Sequence, residues 1–557
     1  SPRRKMKIVN LAVSDASGIL QIKWFNQHYL KDVFKKGDRI MLSGRVKGNP
    51  YRGHALEMEN PVYERVEEEE SHLHMDRIVP VYHETKGLTS KQIRSLMKQV
   101  LERYASQIPE MLPGRLIERY RLISLNEAIY QIHFPEKKTD VNLLNQGRSP
   151  AHRRLIFDEL FLLQIGLALR KKGITEKLPG IVFKVNDSFH DPLRKLIPFR
   201  LTEAQERVFL EIKKDMATPY AMNRLIQGDV GCGKTLVALM SILIAIENGH
   251  QTALMAPTEI LAVQHYLSLK IYLEALGKSA LLLTSDMKKK AKDEVLERIA
   301  AGECDLLIGT HALIQKSVAF KKLGLAVVDE QHKFGVLQRA TLVQKGVRPD
   351  LLIMTATPIP RTLALTLYGD LDISVIDELP PGRSPVQTRL YFGKQRAQAY
   401  QFIKKEIEKG RQAFIVCPLV EESEKLDLKT AIDTFSHLKE EVFPQFTIGL
   451  LHGKMKRDEK ESVMVQFKAG TIDLLVATTV VEVGIDIPNA TIMAIEHAER
   501  FGLAQLHQLR GRVGRGQEQS YCLMIAEYPI SKEAKLRLNA MLKSTDGFKI
   551  SEEDLAI

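Results

Sequence analysis

The chain has 557 residues, enough for about three or four domains of ordinary size. Hydrophobic residues make up 44 % and charged residues 27 %, values that are typical of globular proteins and exclude disordered or low-complexity classes. No stretch approaches about 18 consecutive apolar residues, and the first residues lack the apolar core of a signal peptide, so neither a membrane-spanning nor a secreted protein is predicted.

Basic residues outnumber acidic residues in this sequence. Lys and Arg total 80 and Asp and Glu total 68, which gives a net charge of +12. This surplus favours a polyanionic partner such as nucleic acid, and the alternative is a soluble basic protein without one. The cysteines lie far apart without metal-ligand spacing, which favours a reduced, cytosolic setting; they are Cys232, Cys304, Cys417 and Cys522.

Residues 1–66 show the alternation that is typical of β-strands. Leu20, Ile22 and Trp24 alternate with polar neighbours, and a second alternation follows at 39–46. The pattern predicts a small antiparallel barrel of the OB type, in which about four of the five strands can be recognised. Residues 67–185 have mainly helical periodicity, and we expect them to form a helical linker.

From residue 186 onward the pattern is that of α/β domains. Short apolar runs alternate with helical segments, as expected for strands of a parallel sheet that is covered on both faces. The runs lie at 224–227, 252–256, 305–308, 325–328 and 351–354, and then at 413–416, 447–451, 473–477 and 491–495. The sequence therefore predicts two tandem domains, 186–383 and 384–530, followed by a short segment at 531–557.

A phosphate-binding loop is predicted at residues 228–235. They match G-x-x-x-x-G-K-S/T and lie between a predicted strand and a predicted helix. Gly228, Gly231 and Gly233 let backbone N–H groups converge on phosphates, and the helix dipole adds to the attraction. Lys234 is expected to reach the β- and γ-phosphates of ATP, and the Thr235 hydroxyl is expected to bind Mg²⁺.

Two acidic residues, Asp329 and Glu330, end the strand predicted at 325–328. At the C-terminal edge of a parallel sheet, Asp329 is expected to hold the Mg²⁺ shell, and Glu330 is expected to orient and deprotonate the attacking water. The alternative is a solvated strand end. Together with the phosphate loop, this pair predicts an ATPase.

An arginine-rich string at 508–515 belongs to the second α/β domain. It places Arg512 and Arg515 three residues apart among glycines, whereas Arg510 is a weaker candidate. As arginine fingers, Arg512 and Arg515 would stabilise charge on the γ-phosphate across the cleft between the domains. The alternative is a loop that contacts nucleic acid.

In this order, the motifs resemble a superfamily 2 helicase motor built of two RecA-like domains. The strings at 256–262, 355–357, 451–453 and 478–486 resemble its remaining motifs. The resemblance implies further nucleotide-binding residues, namely Phe199, Gln205, Gly484, Asp486 and Gln508. It also implies DNA contacts from four side chains, namely Thr258, Thr310, His452 and Thr478.

Within the superfamily, the strings at 329–336, 354–363 and 507–516 resemble those of RecG, the bacterial branched-DNA motor. The runner-up is the transcription-repair coupling factor. That family typically has Glu-Glu-Gln where this chain has Glu-Gln-His after Asp329, and it lacks an OB barrel directly before its motor. The RecG resemblance implies that residues 1–66 form a wedge at the branch point, with Phe25 and Tyr29 stacking on bases. Trp24 shares a face with Ile22, and we expect it in the core.

The resemblance implies an ATP-dependent DNA helicase that uses ATP and Mg²⁺, binds stalled replication forks and Holliday junctions, and drives fork regression and branch migration in recombination and repair. It implies a monomer in the bacterial cytoplasm, at the nucleoid, without a membrane partner; contacts with replication proteins are not readable from the sequence. The family's chains extend further at both ends, so we expect this chain to be truncated. Two alternatives stay open: a nucleic-acid-binding scaffold with a vestigial nucleotide site, and a coupling factor acting on RNA polymerase.

Overall fold

The computed structural model describes residues 7–49, 55–65, 73, 77–177, 179–186, 188–330, 336–357, 359–360, 363, 371–380, 384–418, 432–478, 487–514, 516 and 518–557. The chain divides into two compact units, Ser1–Ile165 and Gly166–Ile557. No helix in these described ranges is both long enough and apolar enough to cross a membrane.

The first unit begins with short β-strands, as the alternating pattern predicts. The described strands are β1 (Ile8–Asp15), β2 (Gly18–Phe25), β3 (Ile40–Ser43), β4 (Val46–Asn49), β5 (Ala55–Glu59) and β6 (Val62–Arg65). One sheet has the order β1-β2-β5-β4, and β3 pairs with β6. Because β2 and β5 are parallel, the prediction of an all-antiparallel barrel is wrong in this respect. Alternation of side chains indicates which face a residue occupies, but it does not give the direction of the neighbouring strand.

Trp24 on β2 lies at the centre of the core of these strands, which confirms its predicted position. Its ring stacks on Phe34 with the centroids 5.5 Å apart, and Tyr63 approaches it edge-on at 6.0 Å. The indole Nε1 donates a hydrogen bond to the carbonyl oxygen of Pro61 at 3.1 Å, which satisfies the buried donor. Phe25 is half-buried, next to the fully buried Trp24.

Helices make up most of the rest of the first unit, which confirms the helical periodicity of this region. They are α1 (Leu30–Val33), α2 (Ser90–Tyr104), α3 (Gly114–Tyr120), α4 (Leu125–His133), α5 (Val141–Asn145) and the beginning of α6 (Pro150–Lys177). Arg154 on α6 is buried and donates hydrogen bonds to Glu110, to Asp158 and to the carbonyl oxygen of Ile123. The hydrogen bond from Arg154 lowers the pKa of Glu110 to about 2, so this pair is ionised and joins α6 to the preceding helices.

The second unit contains two parallel sheets, and the first of them has seven described strands. These are β7 (Asn223–Gly228), β8 (Gln251–Met255), β9 (Ala280–Leu283), β10 (Leu306–Gly309), β11 (Leu323–Asp329), β12 (Asp350–Thr355) and β13 (Asp372–Ile376), in the order β13-β7-β12-β11-β8-β10-β9. The helices described here are α7 (His190–Leu196), α8 (Glu203–Met216), α9 (Lys234–Glu247), α10 (Glu259–Ala275), α11 (Lys289–Ala301) and α12 (Val336–Val343).

The second sheet has six described strands, which are also parallel. They are β14 (Gln387–Phe392), β15 (Gln412–Val416), β16 (Ile448–Leu451), β17 (Leu474–Ala477), β18 (Ala490–Ile495) and β19 (Tyr521–Ala526), in the order β14-β19-β18-β15-β17-β16. The described helices are α13 (Arg396–Ile407), α14 (Arg457–Lys468), α15 (Leu503–Arg510), α16 (Lys532–Lys543) and α17 (Gly547–Ala556). The predicted pair of RecA-like α/β domains is thus confirmed.

All nine strands predicted for these two sheets are present, and four others were not predicted. Three of the four, β9, β13 and β14, are edge strands, whose apolar runs are short or broken by polar residues because one flank has no neighbouring strand. The fourth, β19, is an interior strand with an apolar sequence, and it was not predicted although the signal was present.

The order of the first sheet positions the site. The strands β7, β12 and β11 are adjacent and parallel, so their C-terminal ends meet at one edge of the sheet. This edge brings together the phosphate loop after Gly228, the string at 355–357, and the acids Asp329 and Glu330.

Asp350, the first residue of β12, has a carboxyl group that is buried in this sheet. Its Oδ1 accepts a hydrogen bond from the backbone N–H of Met222 at 2.8 Å, and its Oδ2 has no hydrogen-bond partner among the described residues. Burial raises the pKa of Asp350 to about 8, and the negative charge of Asp215 adds to the increase. The folded protein therefore keeps a proton that the unfolded chain releases near the ordinary value of 3.8.

Because of this proton, the free energy of unfolding is expected to decrease as the pH rises. The contribution of Asp350 is fully present below the unfolded pKa and is lost as the pH approaches about 8, at about 1.4 kcal/mol per pH unit. Asp350→Asn stays neutral and removes this dependence. Urea unfolding of both proteins at about pH 6 and about pH 8 should show a decrease about 2 kcal/mol larger for the wild type, whereas equal decreases would contradict the assignment.

Candidate active site

The phosphate loop connects β7 to α9 and adopts the conformation that its glycines allow. Gly231 and Gly233 have φ values of +77° and +89°, which side chains with a Cβ rarely adopt. The Lys234 ammonium group donates hydrogen bonds to the carbonyl oxygens of Gly228, at 2.9 Å, and Asp229, at 2.8 Å. Its charge is therefore held over the loop, and Thr235 follows at the N-terminus of α9, where an anion is favoured.

Gln205 joins α8 to the phosphate loop, while its role in nucleotide binding stays a prediction. Its Nε2 donates a hydrogen bond to the carbonyl oxygen of Cys232 at 2.8 Å, while its Oε1 accepts one from the N-cap residue Thr202. A Cβ at Gly233 would lie 2.2 Å from this Nε2 and would displace the Gln205 amide, and the φ of +89° favours glycine there. Phe199 lies shortly before α8, and its side chain is 48 % exposed, which leaves the ring accessible to a base.

Asp329, at the end of β11, is held as a carboxylate. Its Oδ2 accepts a hydrogen bond from His265 Nε2 at 2.8 Å, and its Oδ1 accepts one from the backbone N–H of Glu330 at 3.0 Å. Burial alone would raise the pKa of Asp329, but the hydrogen bond from His265 and the charge of Lys234 hold it below its ordinary value.

The side chains at this edge fit a magnesium ion. Mg²⁺ prefers oxygen ligands, and it usually keeps several waters and binds one or two carboxylates plus the phosphates of its nucleotide. Asp329 supplies an ionised carboxylate and Thr235 a hydroxyl, while the described part of the chain has no group of three or more His, Cys, Asp or Glu side chains that could hold a metal ion by itself. This sparse oxygen set suits a metal that arrives with ATP rather than a resident metal centre.

Glu330 has the properties of a base. Burial and the negative charge of Asp329 raise its pKa, while the positive charges of Lys234 and Arg512 partly oppose this. Its Oε2 accepts a hydrogen bond from the backbone N–H of Ala356 at 3.3 Å, and its φ of +51° is unusual for a residue with a side chain. A buried carboxylate with a raised pKa is suited to taking a proton from water near neutral pH.

The helix α15 and the residues after it place part of the second domain against this edge. Gln508 Nε2 donates a hydrogen bond to Thr357 Oγ1 at 2.7 Å, and Gly511 lies directly on Val230 of the phosphate loop. Arg512 follows Gly511 and is buried, and its charge reaches Glu330. The structure thus brings the charge of Arg512 near Glu330, and its role as an arginine finger stays a prediction.

Arg510 has a different environment. Its buried guanidinium donates hydrogen bonds to the carbonyl oxygens of Met541, Ser544 and Thr545 and to His507 Nδ1. These contacts join α15 to the segment around α16, so Arg510 has a structural role.

Three predicted site residues, Arg515, Gly484 and Asp486, lie outside the described residues. Their assignments stay predictions.

The four predicted DNA-contact side chains of the motor share one kind of position. Each follows a strand at its C-terminal end: Thr258 after β8, Thr310 after β10, His452 after β16 and Thr478 after β17. Thr258 is also the N-cap of α10, where its Oγ1 accepts a hydrogen bond from the backbone N–H of Leu261. Within the described ranges, the hydroxyl groups of Thr310 and Thr478 are buried without a hydrogen-bond partner, so their DNA contacts stay predictions.

Three polar side chains of the site were not predicted from the sequence, namely His265, His507 and Asp229. His265 Nε2 lies 2.8 Å from Asp329 Oδ2, and His507 Nε2 lies 2.6 Å from Asp229 Oδ1. His265 lies seven residues after Thr258, and His507 directly precedes Gln508, so their proximity to motifs was the available signal.

Family models match three parts of the chain. The model described as DEAD/DEAH box helicase matches residues 202–366, the helicase conserved C-terminal domain matches 395–517, and the RecG wedge domain matches 2–103. The curated ATP-dependent DNA helicase RecG of Synechocystis sp. is 44 % identical, over 100 % of this chain and 67 % of its own length. The RecG helicase of Bacillus subtilis is 45 % identical, over 96 % of this chain and 76 % of its own length.

The chain belongs to the RecG family of ATP-dependent DNA helicases.

Solved structures agree with this membership. A structure of RecG bound to a three-way DNA junction is 41 % identical and matches with a TM-score of 0.72, covering 99 % of this chain and 72 % of that one. The DUF1998 helicase MrfA bound to DNA is 18 % identical, with a TM-score of 0.50 over 65 % of this chain and 55 % of that one. This second likeness shows a shared motor fold only. The match to the RecG wedge model favours RecG over the coupling-factor alternative. The matched residues, 2–103, include the strands at the start of the chain and most of α2.

Proposed function

We propose that this RecG-family chain hydrolyses Mg²⁺-ATP to move on branched DNA, and that it drives fork regression and branch migration in recombination and repair. The observation that carries the proposal is the match, over 99 % of the chain, with RecG bound to a three-way DNA junction. A wedge match and two parallel motor sheets lie on one polypeptide, which is the combination that remodelling of a branch point requires.

ATP would bind at the phosphate loop. The loop amides and Lys234 would hold its phosphates, and Phe199 and Gln205 would contact its base. Gly484, Asp486 and Gln508 would complete the site from the second domain. Thr235 and Asp329 would hold Mg²⁺, which would neutralise phosphate charge when bound.

Hydrolysis would depend on Glu330 and the arginines. Glu330 would orient the attacking water and accept its proton, since its raised pKa favours the protonated product of that step. Arg512 and Arg515 would stabilise the charge that develops on the γ-phosphate. The cleft between the domains would close on ATP and open after hydrolysis, in the hinge motion common to such enzymes.

DNA would be recognised mainly through its phosphates and its branched shape. Thr258, Thr310, His452 and Thr478 would contact the backbone along the C-terminal edges of both sheets. The net charge of +12 supports this mode of binding, and base sequence should matter little. Affinity should therefore fall steeply as the salt concentration rises.

The wedge would act at the branch point through exposed aromatic rings. Tyr29 is 52 % exposed before α1, and Phe25 at the end of β2 is half-buried. Rings in such positions stack on bases where a duplex opens, and each stack contributes about 1–3 kcal/mol.

Tyr29→Ala is expected to weaken binding of a synthetic fork about tenfold and to leave binding of a linear duplex unchanged, because only the fork presents unpaired bases. Fluorescence anisotropy with the two DNAs at one salt concentration measures the effect. Tyr104→Ala is the matched control, since Tyr104 is also a tyrosine of this unit and is 54 % exposed. Equal losses on both DNAs, or an equal loss in the control, would contradict stacking by Tyr29.

The protein would act as a monomer in the bacterial cytoplasm, at the nucleoid. One chain supplies both halves of the nucleotide site, from Lys234 to Arg512, so hydrolysis needs no second copy. Chromosomal DNA, the proposed substrate, determines the location.

A further inference from the structure

Asp229 and His507 form a direct bond across the cleft between the two α/β domains. Asp229 is the second residue of the phosphate loop, and His507 lies on α15. His507 Nε2 is 2.6 Å from Asp229 Oδ1; the His507 side chain is buried, and the Asp229 side chain is 23 % exposed. The carboxyl group is ionised, because the hydrogen bond with His507 holds the pKa of Asp229 below its ordinary value against the opposing effect of burial.

Arg510 determines which way this hydrogen bond runs. Its guanidinium has only donors, and it lies 3.0 Å from His507 Nδ1, so Nδ1 accepts and the proton of a neutral ring resides on Nε2. Nε2–H then donates to Asp229. Arg510 is itself fixed by three carbonyl oxygens, one in the last turn of α16 and two just after it, so the imidazole orientation is set from the side of the second domain.

A second contact one helical turn away completes the arrangement. Gly511 follows His507 by four residues, which places both on one face of the helix. Gly511 lies against Val230, and a Cβ there would come within 2.7 Å of the Val230 Cβ. His507 on α15 and Gly511, the residue that caps its C-terminal end, thus meet two consecutive residues of the phosphate loop.

A cavity lies beside these two contacts. A cavity of about 360 Å³ adjoins Asp229, Val230, His507, Arg510 and Gly511. Gln508 on α15 also donates a hydrogen bond to Thr357 on the other side of the interface. Because a cavity lies beside the His507–Asp229 bond, the part of α15 around His507 has room to shift if that bond is lost.

We propose that His507 is a positioning residue for ATP hydrolysis: its bond to Asp229 sets the register between the phosphate loop and α15, and thereby places Arg512 at the nucleotide. The inference rests on the proposed roles of Lys234 and Arg512. Asp229 is suited to this role because its carbonyl oxygen also binds Lys234, so one residue meets both the loop lysine and the second domain.

The proposal predicts a loss of turnover without a loss of nucleotide binding. The loop amides, Lys234 and Gln205 belong to the first domain, so ATP should still bind when His507 is replaced. A displacement of about 1 Å in a catalytic group can cost about 10²-fold in rate. We expect His507→Ala to lower kcat at least about tenfold, with a change of less than about threefold in the affinity for Mg²⁺-ATP.

The test is a double-mutant cycle on the full chain. The kcat and KM for ATP, with fork DNA present, and the Kd of a fluorescent ATP analogue are measured for the wild type, His507→Ala, Asp229→Ala and the double variant. If the pair acts as one unit, the double variant should be no slower than the slower single variant. His437→Ala is the matched control, because His437 is an exposed histidine of the same domain.

A conservative variant provides a second, independent comparison. Asp229→Asn keeps an oxygen that accepts the bond from Nε2–H, so its kcat should fall at least about threefold less than that of Asp229→Ala. If His507→Ala fails to fold, the comparison of Asp229→Asn with Asp229→Ala tests the proposal instead, since neither of these two substitutions alters α15. Additive losses, a loss of nucleotide affinity as large as the loss of kcat, or equal effects of Asn and Ala at position 229 would overturn the proposal. Turnover of the wild type is also measured without DNA, which shows whether fork DNA stimulates it, so failure of the proposed function is seen separately.

Discussion

Replacing Glu330 by glutamine is expected to lower ATP turnover about 10³-fold while ATP and DNA still bind. Gln has nearly the same shape, but it cannot take a proton from water. Burial and the negative charge of Asp329 both raise the pKa of Glu330, so the native carboxylate is a stronger base than an exposed one. Multiple-turnover ATPase assays, combined with binding of an ATP analogue and of fork DNA, measure the separation of hydrolysis from binding.

Glu274→Gln provides the control for this substitution. Glu274 is an exposed acid on α10 that pairs only loosely with Lys270 at 3.5 Å, and its replacement should leave turnover unchanged. A Glu330→Gln protein with wild-type turnover would support the alternative of a scaffold with a vestigial nucleotide site.

Arg512→Ala is expected to have an effect of similar size, about 10³-fold on kcat, because arginine fingers typically contribute about 10³–10⁵-fold. Arg512 is buried, and its positive charge partly opposes the rise in the pKa of Glu330, so it lies near the proposed catalytic acid. Single-turnover hydrolysis at saturating ATP isolates this step from nucleotide binding.

Arg500→Ala is the matched control for Arg512, since Arg500 is a half-exposed arginine of the same domain that pairs with Glu499. DNA binding should be retained by both variants. An Arg512→Ala protein that lost DNA affinity but kept its single-turnover rate would support the alternative of a nucleic-acid contact loop.

The motor could be predicted from the sequence because its signals are local. The loop at 228–235 and the acids after β11 are contiguous strings, and the order of parallel strands then brings them together. The N-terminal strands were harder to predict, since alternation at Leu20, Ile22 and Trp24 shows a buried face but not the parallel pairing of β2 with β5.

The connections between site residues could not be predicted from the sequence. His265 and Asp329 are 64 residues apart in sequence, and Asp229 and His507 are 278 residues apart. Their pairing depends on how helices pack on two separate sheets, and no local pattern records it. The same holds for burial, because Thr310 and Thr478 resemble contact residues in sequence yet have buried side chains in the fold.

The central claim is that this chain is a motor directed to branched DNA. Its most direct test is ATP turnover by the chain alone, with a linear duplex, and with a synthetic fork of equal length, all at one low salt concentration. The account predicts that the fork stimulates turnover well beyond the linear duplex. Equal stimulation by both DNAs, or no stimulation while ATP still binds, would contradict it.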